Sequence, residues 1–141
     1  MRKLLLLCIL ISFFSCEKNE TIDVLPDVHV NITINLNDPQ YVHLQFSSES
    51  AYTTGGNDGI QGILIRNTGS ASNPFKAFER ACPNFDCSSP MKFDGSLKMK
   101  CDCDGSEYSI LDGSPQTEGN SHFAREYRVR VSGSTLNITN F

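Results

Sequence analysis

The sequence predicts an all-β protein built as one domain, and three features carry that reading. Val28, Val30, Ile32, Ile34 and Leu36 alternate with polar residues, the period of a strand with one buried face. Near the other end Tyr127, Val129 and Val131 alternate, Ser132-Gly133-Ser134 turns the chain, and Leu136 and Ile138 alternate back, which is the pattern of a hairpin. No window between them holds an apolar period of 3.6 residues over a helical length.

The elements follow in chain order. Arg2 and Lys3 precede an apolar run from Leu4 to Phe14 that ends at Ser15-Cys16. This is a signal peptide, residues 1–15, and is too short to remain as a membrane-spanning helix. A small residue directly before a cysteine resembles the lipobox of bacterial lipoproteins, with Phe13 where that box usually carries Leu. The resemblance implies lipidation of Cys16, so the protein is expected on a membrane surface, held by acyl chains, without crossing the bilayer. Residues 16–27 are polar and contain Pro26, as a solvated tether would. The acidic residues just after the lipid site resemble the surface-export signal of Bacteroidetes lipoproteins.

Cleavage before Cys16 leaves 126 of the 141 residues, the size of a single domain, here residues 28–141. The 12 basic side chains fall to 10 once Arg2 and Lys3 leave, against 16 acidic ones, a balance of −6. That excludes a nucleic-acid partner, which would need a clustered basic face. After the strand of 28–36, Asn37-Asp38-Pro39 punctuates the chain and residues 41–46 are expected to form a second strand. Residues 60–66 and 75–81 are further strands, the latter with Phe75, Ala77 and Ala81 on one side, separated by a Gly/Ser/Asn turn over 67–73. Tyr108-Ser109-Ile110 is a short strand stopped by Asp112-Gly113, and the hairpin of 127–138 closes the chain.

Four cysteines lie in the stretch left over, in two clusters, Cys82 with Cys87 and Cys101 with Cys103. Cys8 leaves with the leader. An exported chain with an even number of cysteines in its folded part is ordinarily a disulfide protein. Four cysteines allow three pairings, and a bond between Cys101 and Cys103, with one residue between them, would be strained, so pairing between the clusters is favoured. A four-thiolate zinc site is the competing reading. Structural zinc loops space their ligands by two to four residues, which Cys82 and Cys87 satisfy and Cys101 and Cys103 do not.

The boxes Cys82-Pro83-Asn84-Phe85-Asp86-Cys87 and Cys101-Asp102-Cys103-Asp104-Gly105-Ser106 resemble the two cluster-binding loops of Rieske iron–sulfur proteins, C-x-H-x-x-C and C-x-C-H-G-S. "FKAFERACP", "CDCDGSEYSILDGSP" and "EYRVRVSGSTLNI" resemble the strand entering the first box, the second box with its following turn, and the closing hairpin. "VNITINLNDPQYVHL" is similar to Rieske-like lipoproteins of Bacteroidetes. The resemblance implies an antiparallel β-sandwich with a small cysteine-bearing loop subdomain. It places Cys82 and Cys101 as thiolate ligands of one iron of a 2Fe-2S cluster and Cys87–Cys103 as a disulfide clamping the two loops. Ser106 and Tyr108 would hydrogen-bond the cluster sulfurs, and His122 lies in the region that folds over the cluster, where it could serve as a replacement ligand.

Asn84 and Asp104 stand where the two histidine ligands of the other iron belong. An amide is a poor ligand for ferric iron, and a carboxylate adds negative charge where neutral imidazoles raise the potential. No cofactor is therefore favoured, and without a metal Cys82 and Cys101 would pair as a second disulfide. The expected function is that of a membrane-anchored Rieske-like lipoprotein of the bacterial cell envelope, periplasmic or at the outer-membrane surface, without a conventional cluster and acting as a disulfide-stapled binding or interaction scaffold. The alternative is a Rieske-type electron-transfer protein with atypical cluster ligands and a redox partner. An enzyme is not expected, since no Ser/His/Asp arrangement or paired-carboxylate site follows from the spacing.

Overall fold

A computed structural model describes residues 24–56, 58–84 and 87–140. The leader, Cys16 and most of the tether lie outside the described residues. Among the described residues, nine strands form two antiparallel sheets: β1 Asn31–Asn35, β2 Ser50–Tyr52, β3 Ile63–Asn67, β4 Phe75–Glu79, β5 Lys92–Phe93, β6 Lys98–Lys100, β7 Glu107–Ser109, β8 Glu126–Ser132 and β9 Thr135–Thr139. The larger sheet has the order β1-β9-β8-β4-β3-β2 and the smaller β5-β6-β7.

β8 explains how one sheet can enclose a core. Its first residues, Glu126 and Tyr127, pair with Phe78 and Ala77 of β4, whereas Arg128 to Ser132 pair with β9. The strand passes from one half of the sheet to the other, and the sheet curls into a half-barrel. Inside it Val30, Ile34, Leu36, Ile63, Ile65, Phe75, Ala77, Leu136 and Ile138 are buried together. The alternation read from 28–36 is thus the core-facing pattern of β1 and its flanks, and β9 returns Leu136 opposite Ile34 and Ile138 opposite Ile32.

Residues 41–46 do not form the expected strand. Tyr41 and Val42 both donate their amides to the Asp38 carbonyl, at 2.8 and 2.9 Å, and Val42–Gln45 is a 3-10 helix. Tyr41 and Leu44, three residues apart, therefore share the buried side, the spacing of a three-residue turn. The strand pairing with β3 is β2, a few residues later.

Within the stretch read as tether, Leu25 is buried, and Arg125 donates to the carbonyls of Leu25 and Pro26 at 2.7 and 2.8 Å. The Asn140 side chain extends the sheet beyond β1: it donates to the Val28 carbonyl at 2.7 Å and accepts from the Val30 amide.

β3 and β4 are covered on both faces. Ile63 and Ile65 point into the half-barrel, while Leu64 and Phe78 point the other way, onto a second core with Met91, Met99, Tyr108 and Ile110. That second core belongs to the insertion between β4 and β8, residues 80–125, which carries β5-β6-β7 and every cysteine of the folded part.

Candidate functional site

Two loops of the insertion make the site. The first leaves β4 at Arg80 and runs to Met91, and the second is the connection between β6 and β7. Their positions are set by backbone pairing. Arg80 donates to the Gly62 carbonyl at 2.9 Å and the Met91 amide donates back to the Arg80 carbonyl at 2.6 Å, which closes the first loop at its base. The Cys101 amide donates to the Ser106 carbonyl at 2.8 Å and the Gly105 amide to the Cys101 carbonyl at 3.0 Å, which close the second.

A buried carboxylate fixes the entry to the first loop. Glu79 has no exposed surface, and it accepts hydrogen bonds from the amides of Ile60 (2.8 Å), Gln61 (2.9 Å) and Ala81 (2.9 Å) and from the Tyr127 hydroxyl (2.7 Å). One side chain thereby joins the segment before β3, the first cysteine loop and β8. Burial, and after it the neighbouring Glu79 carboxylate, push the Tyr127 hydroxyl well above its ordinary pKa. Gly59 makes room for the latch: its φ is +74°, and a Cβ there would stand 2.2 Å from Glu79 Oε2. Sequence reasoning passed over Glu79. The visible signal was a carboxylate in register with Phe75 and Ala77, at a position where the strand's alternation calls for an apolar side chain.

The four cysteines pair between the clusters, Cys82 with Cys101 and Cys87 with Cys103, with Cα–Cα distances of 5.8 and 5.7 Å. Both bonds tie the first loop to the second. The pairs differ in depth: Cys82 and Cys101 are buried, whereas Cys87 is half-buried and Cys103 exposed. The sulfurs of Cys82, Cys87 and Cys101 nevertheless all lie within 4.8 Å of one another.

Beside the sulfurs the loops meet a second time. The Asn84 amide donates to the Asp104 carboxylate and, at 3.4 Å, to the Ser106 hydroxyl. The other Asp104 oxygen accepts from the Ser106 amide at 2.8 Å. Hydrogen bonds from Ser106, side chain and backbone, and from Asn84 hold the Asp104 carboxyl below the usual carboxylate range. Tyr108 is buried and its hydroxyl accepts from the Asn120 amide at 2.7 Å. Asn84 and Ser106 line a polar hollow of about 380 Å³ together with the 117–122 segment, His122 included. Among the described residues, the ligand atoms that converge are the three sulfurs, and neither His122 nor Asp104 joins that group.

A 2Fe-2S cluster held in the Rieske manner needs two free thiolates on one side and two imidazoles on the other. Here the two thiols are bonded to each other, and the opposite pair is an amide and a carboxylate already hydrogen-bonded together. This donor set, so arranged, does not fit the cluster.

No family model and no curated protein matches the sequence. Solved structures do match the architecture. The chain is similar to the cyanobacterial plasma membrane Rieske protein PetC3 from Synechocystis PCC 6803, with a TM-score of 0.55 and 14% identity over 76% of this chain and 97% of that one. It is also similar to a chain from the complex of reduced oxygenase and oxidized ferredoxin in carbazole 1,9a-dioxygenase, with a TM-score of 0.53 and 15% identity over 79% and 94%. The fold is therefore Rieske-like, an all-β body carrying a cysteine-bearing subdomain.

Proposed function

We propose that the protein is a lipid-anchored Rieske-like protein of the bacterial cell envelope whose cluster position has been closed by covalent and polar links, and that it acts as a disulfide-stapled scaffold for binding or interaction. The observation that carries this reading is the buried Cys82–Cys101 bond, which joins the two sulfurs that would otherwise hold iron. The polar hollow between Asn84 and the 117–122 segment is the natural place for a small polar ligand or a partner's loop, because it offers amide, hydroxyl and imidazole groups at the joint of the two loops. Lipidation at Cys16 would hold that site at a membrane surface.

A second reading, electron transfer through a 2Fe-2S cluster with atypical ligands, draws on the convergence of three sulfurs and on the Rieske protein among the structural neighbours. One preparation separates the two. Protein made with cluster assembly available and purified without oxygen should be colourless, free of iron, and without free thiols at Cys82, Cys87, Cys101 and Cys103. A brown protein with about two irons per chain would establish the electron-transfer reading instead.

A further inference from the structure

The stacking of two disulfides of unequal depth has a chemical consequence that a pair of independent staples would not have. Thiol–disulfide exchange needs an attacking thiolate in contact with a disulfide sulfur. A protein-sized thiol cannot reach Cys82 or Cys101, which are 1% and 0% exposed. It can reach Cys103, which is exposed, and Cys103 is bonded to a sulfur that already lies within 4.8 Å of both buried ones.

We infer that the two disulfides form a relay, in which the surface pair Cys87–Cys103 is the route by which a dithiol exchanges electrons with the buried pair Cys82–Cys101. The reductant is of the class of exposed protein dithiols, and dithiothreitol serves as its probe. Its first thiolate attacks Cys103 Sγ, which forms a mixed disulfide and expels Cys87 as a thiolate. Cys87 Sγ then attacks Cys82 or Cys101, forms a disulfide to that sulfur, and releases the other buried sulfur as a thiolate that takes up a proton. The second thiol of the reductant attacks the mixed disulfide, leaves as a cyclic disulfide and returns Cys103 as a thiol. One dithiol is oxidised, one protein disulfide is reduced, and the two protons end on Cys103 and the freed buried cysteine. This activity goes beyond a scaffold, and it does not depend on whether the polar hollow binds anything.

The first test uses the unaltered protein. Folded protein is treated with about one equivalent of dithiothreitol, quenched in acid, alkylated, and the positions of the thiols in the two-thiol species are mapped by mass spectrometry. The relay requires thiols at Cys103 together with Cys82 or Cys101, or at Cys82 and Cys101 after the surface bond has re-formed. Thiols confined to Cys87 and Cys103 would overturn it. The Cys103→Ser variant provides an independent reading, because it strands Cys87 as a permanent nucleophile beside the buried bond. The free thiol should then be shared among Cys87, Cys82 and Cys101, and a free thiol found only at Cys87 with Cys82–Cys101 intact would overturn the relay. In the Cys87→Ser/Cys103→Ser variant, native-state reduction of the buried bond should slow by about tenfold or more, since its intramolecular nucleophile is gone. An unchanged rate would refute that role.

Discussion

The half-barrel and the cysteine insertion share β3 and β4 as a common wall, yet they are held by different means. The half-barrel buries aliphatic side chains from strands of five to seven residues, among them β1, β3, β8 and β9. The strands of the insertion have two or three residues, and its core leans on sulfur: Cys82, Cys101, Met91 and Met99 beside Tyr108 and Ile110. A unit of 46 residues buries too little apolar area to stand on its own, and small units of that kind are usually stapled by disulfides or metal. The two bonds between the loops do for the insertion what buried area does for the body. β3 makes the division visible at single-residue spacing, with Ile63 and Ile65 committed to one core and Leu64 to the other.

The Glu79 latch ties the two regions through four hydrogen bonds to one buried carboxylate, so breaking it should have the largest effect of the changes considered. Glu79→Ala leaves three amides and the Tyr127 hydroxyl without their acceptor, and an unsatisfied buried polar group costs about 1–3 kcal/mol. The variant should lose about 4 kcal/mol or more in chemical denaturation, and both regions should be weakened because the latch touches both. A loss of under about 1 kcal/mol would show that the regions are coupled by packing alone.

Reduction of the disulfides should act on one region only. Loops closed over 19 and 16 residues contribute about 3 kcal/mol each in the chain-entropy account, less than additively when both span the same two loops. With all four cysteines reduced and alkylated, hydrogen exchange should quicken by about a hundredfold or more in β5, β6 and β7 while β1, β8 and β9 keep their protection. Equal loss of protection in both would mean that the body depends on the insertion for its own stability.

The smallest effect belongs to the polar joint. The Asp104 carboxyl titrates lower in the folded protein than in the unfolded chain, so its contribution is complete above the unfolded pKa, about 4, and is lost as the pH falls through the folded value. Amide resonances of Asn84 and Ser106 should report this loosening in an acid titration. In Asp104→Asn the transition should vanish while the disulfides and the body remain unchanged, because the side chain lies at the surface.

Much of this was legible in the sequence, and the misses share a cause. Alternation located β1, β8 and β9, since a strand with one buried face must write its period into the chain, whereas β3 and β4, covered on both faces, were read from apolar runs bounded by turn residues. β5 and β6 were passed over because "KF" and "KMK" bury only Met99 and the ring of Phe93 in part. Tyr41 to Phe46 read as a strand because its apolar residues admit either period, and the hydrogen bonds to the Asp38 carbonyl decided between them. At the site, spacing brought Cys82, Cys87, Cys101, Cys103, Asn84 and Asp104 to one pair of loops. His122 lines the same hollow as Asn84 but does not join the converging sulfurs, which spacing along the chain does not reveal.

The sequence by itself determined the strand-forming body, the two boxes with their cysteines, and the amide and carboxylate that each box carries beside them, because period, residue type and spacing are properties of the chain. Only the tertiary structure decided the rest: that the Cys82–Cys101 bond is buried while Cys103 of the other bond is exposed, that Asn84 donates to Asp104 across the loops, and that a carboxylate at the end of an apolar strand is the pin between two cores. Each of these is a contact between residues far apart in the chain, and depth and distance exist only once the sheet has curled around its core.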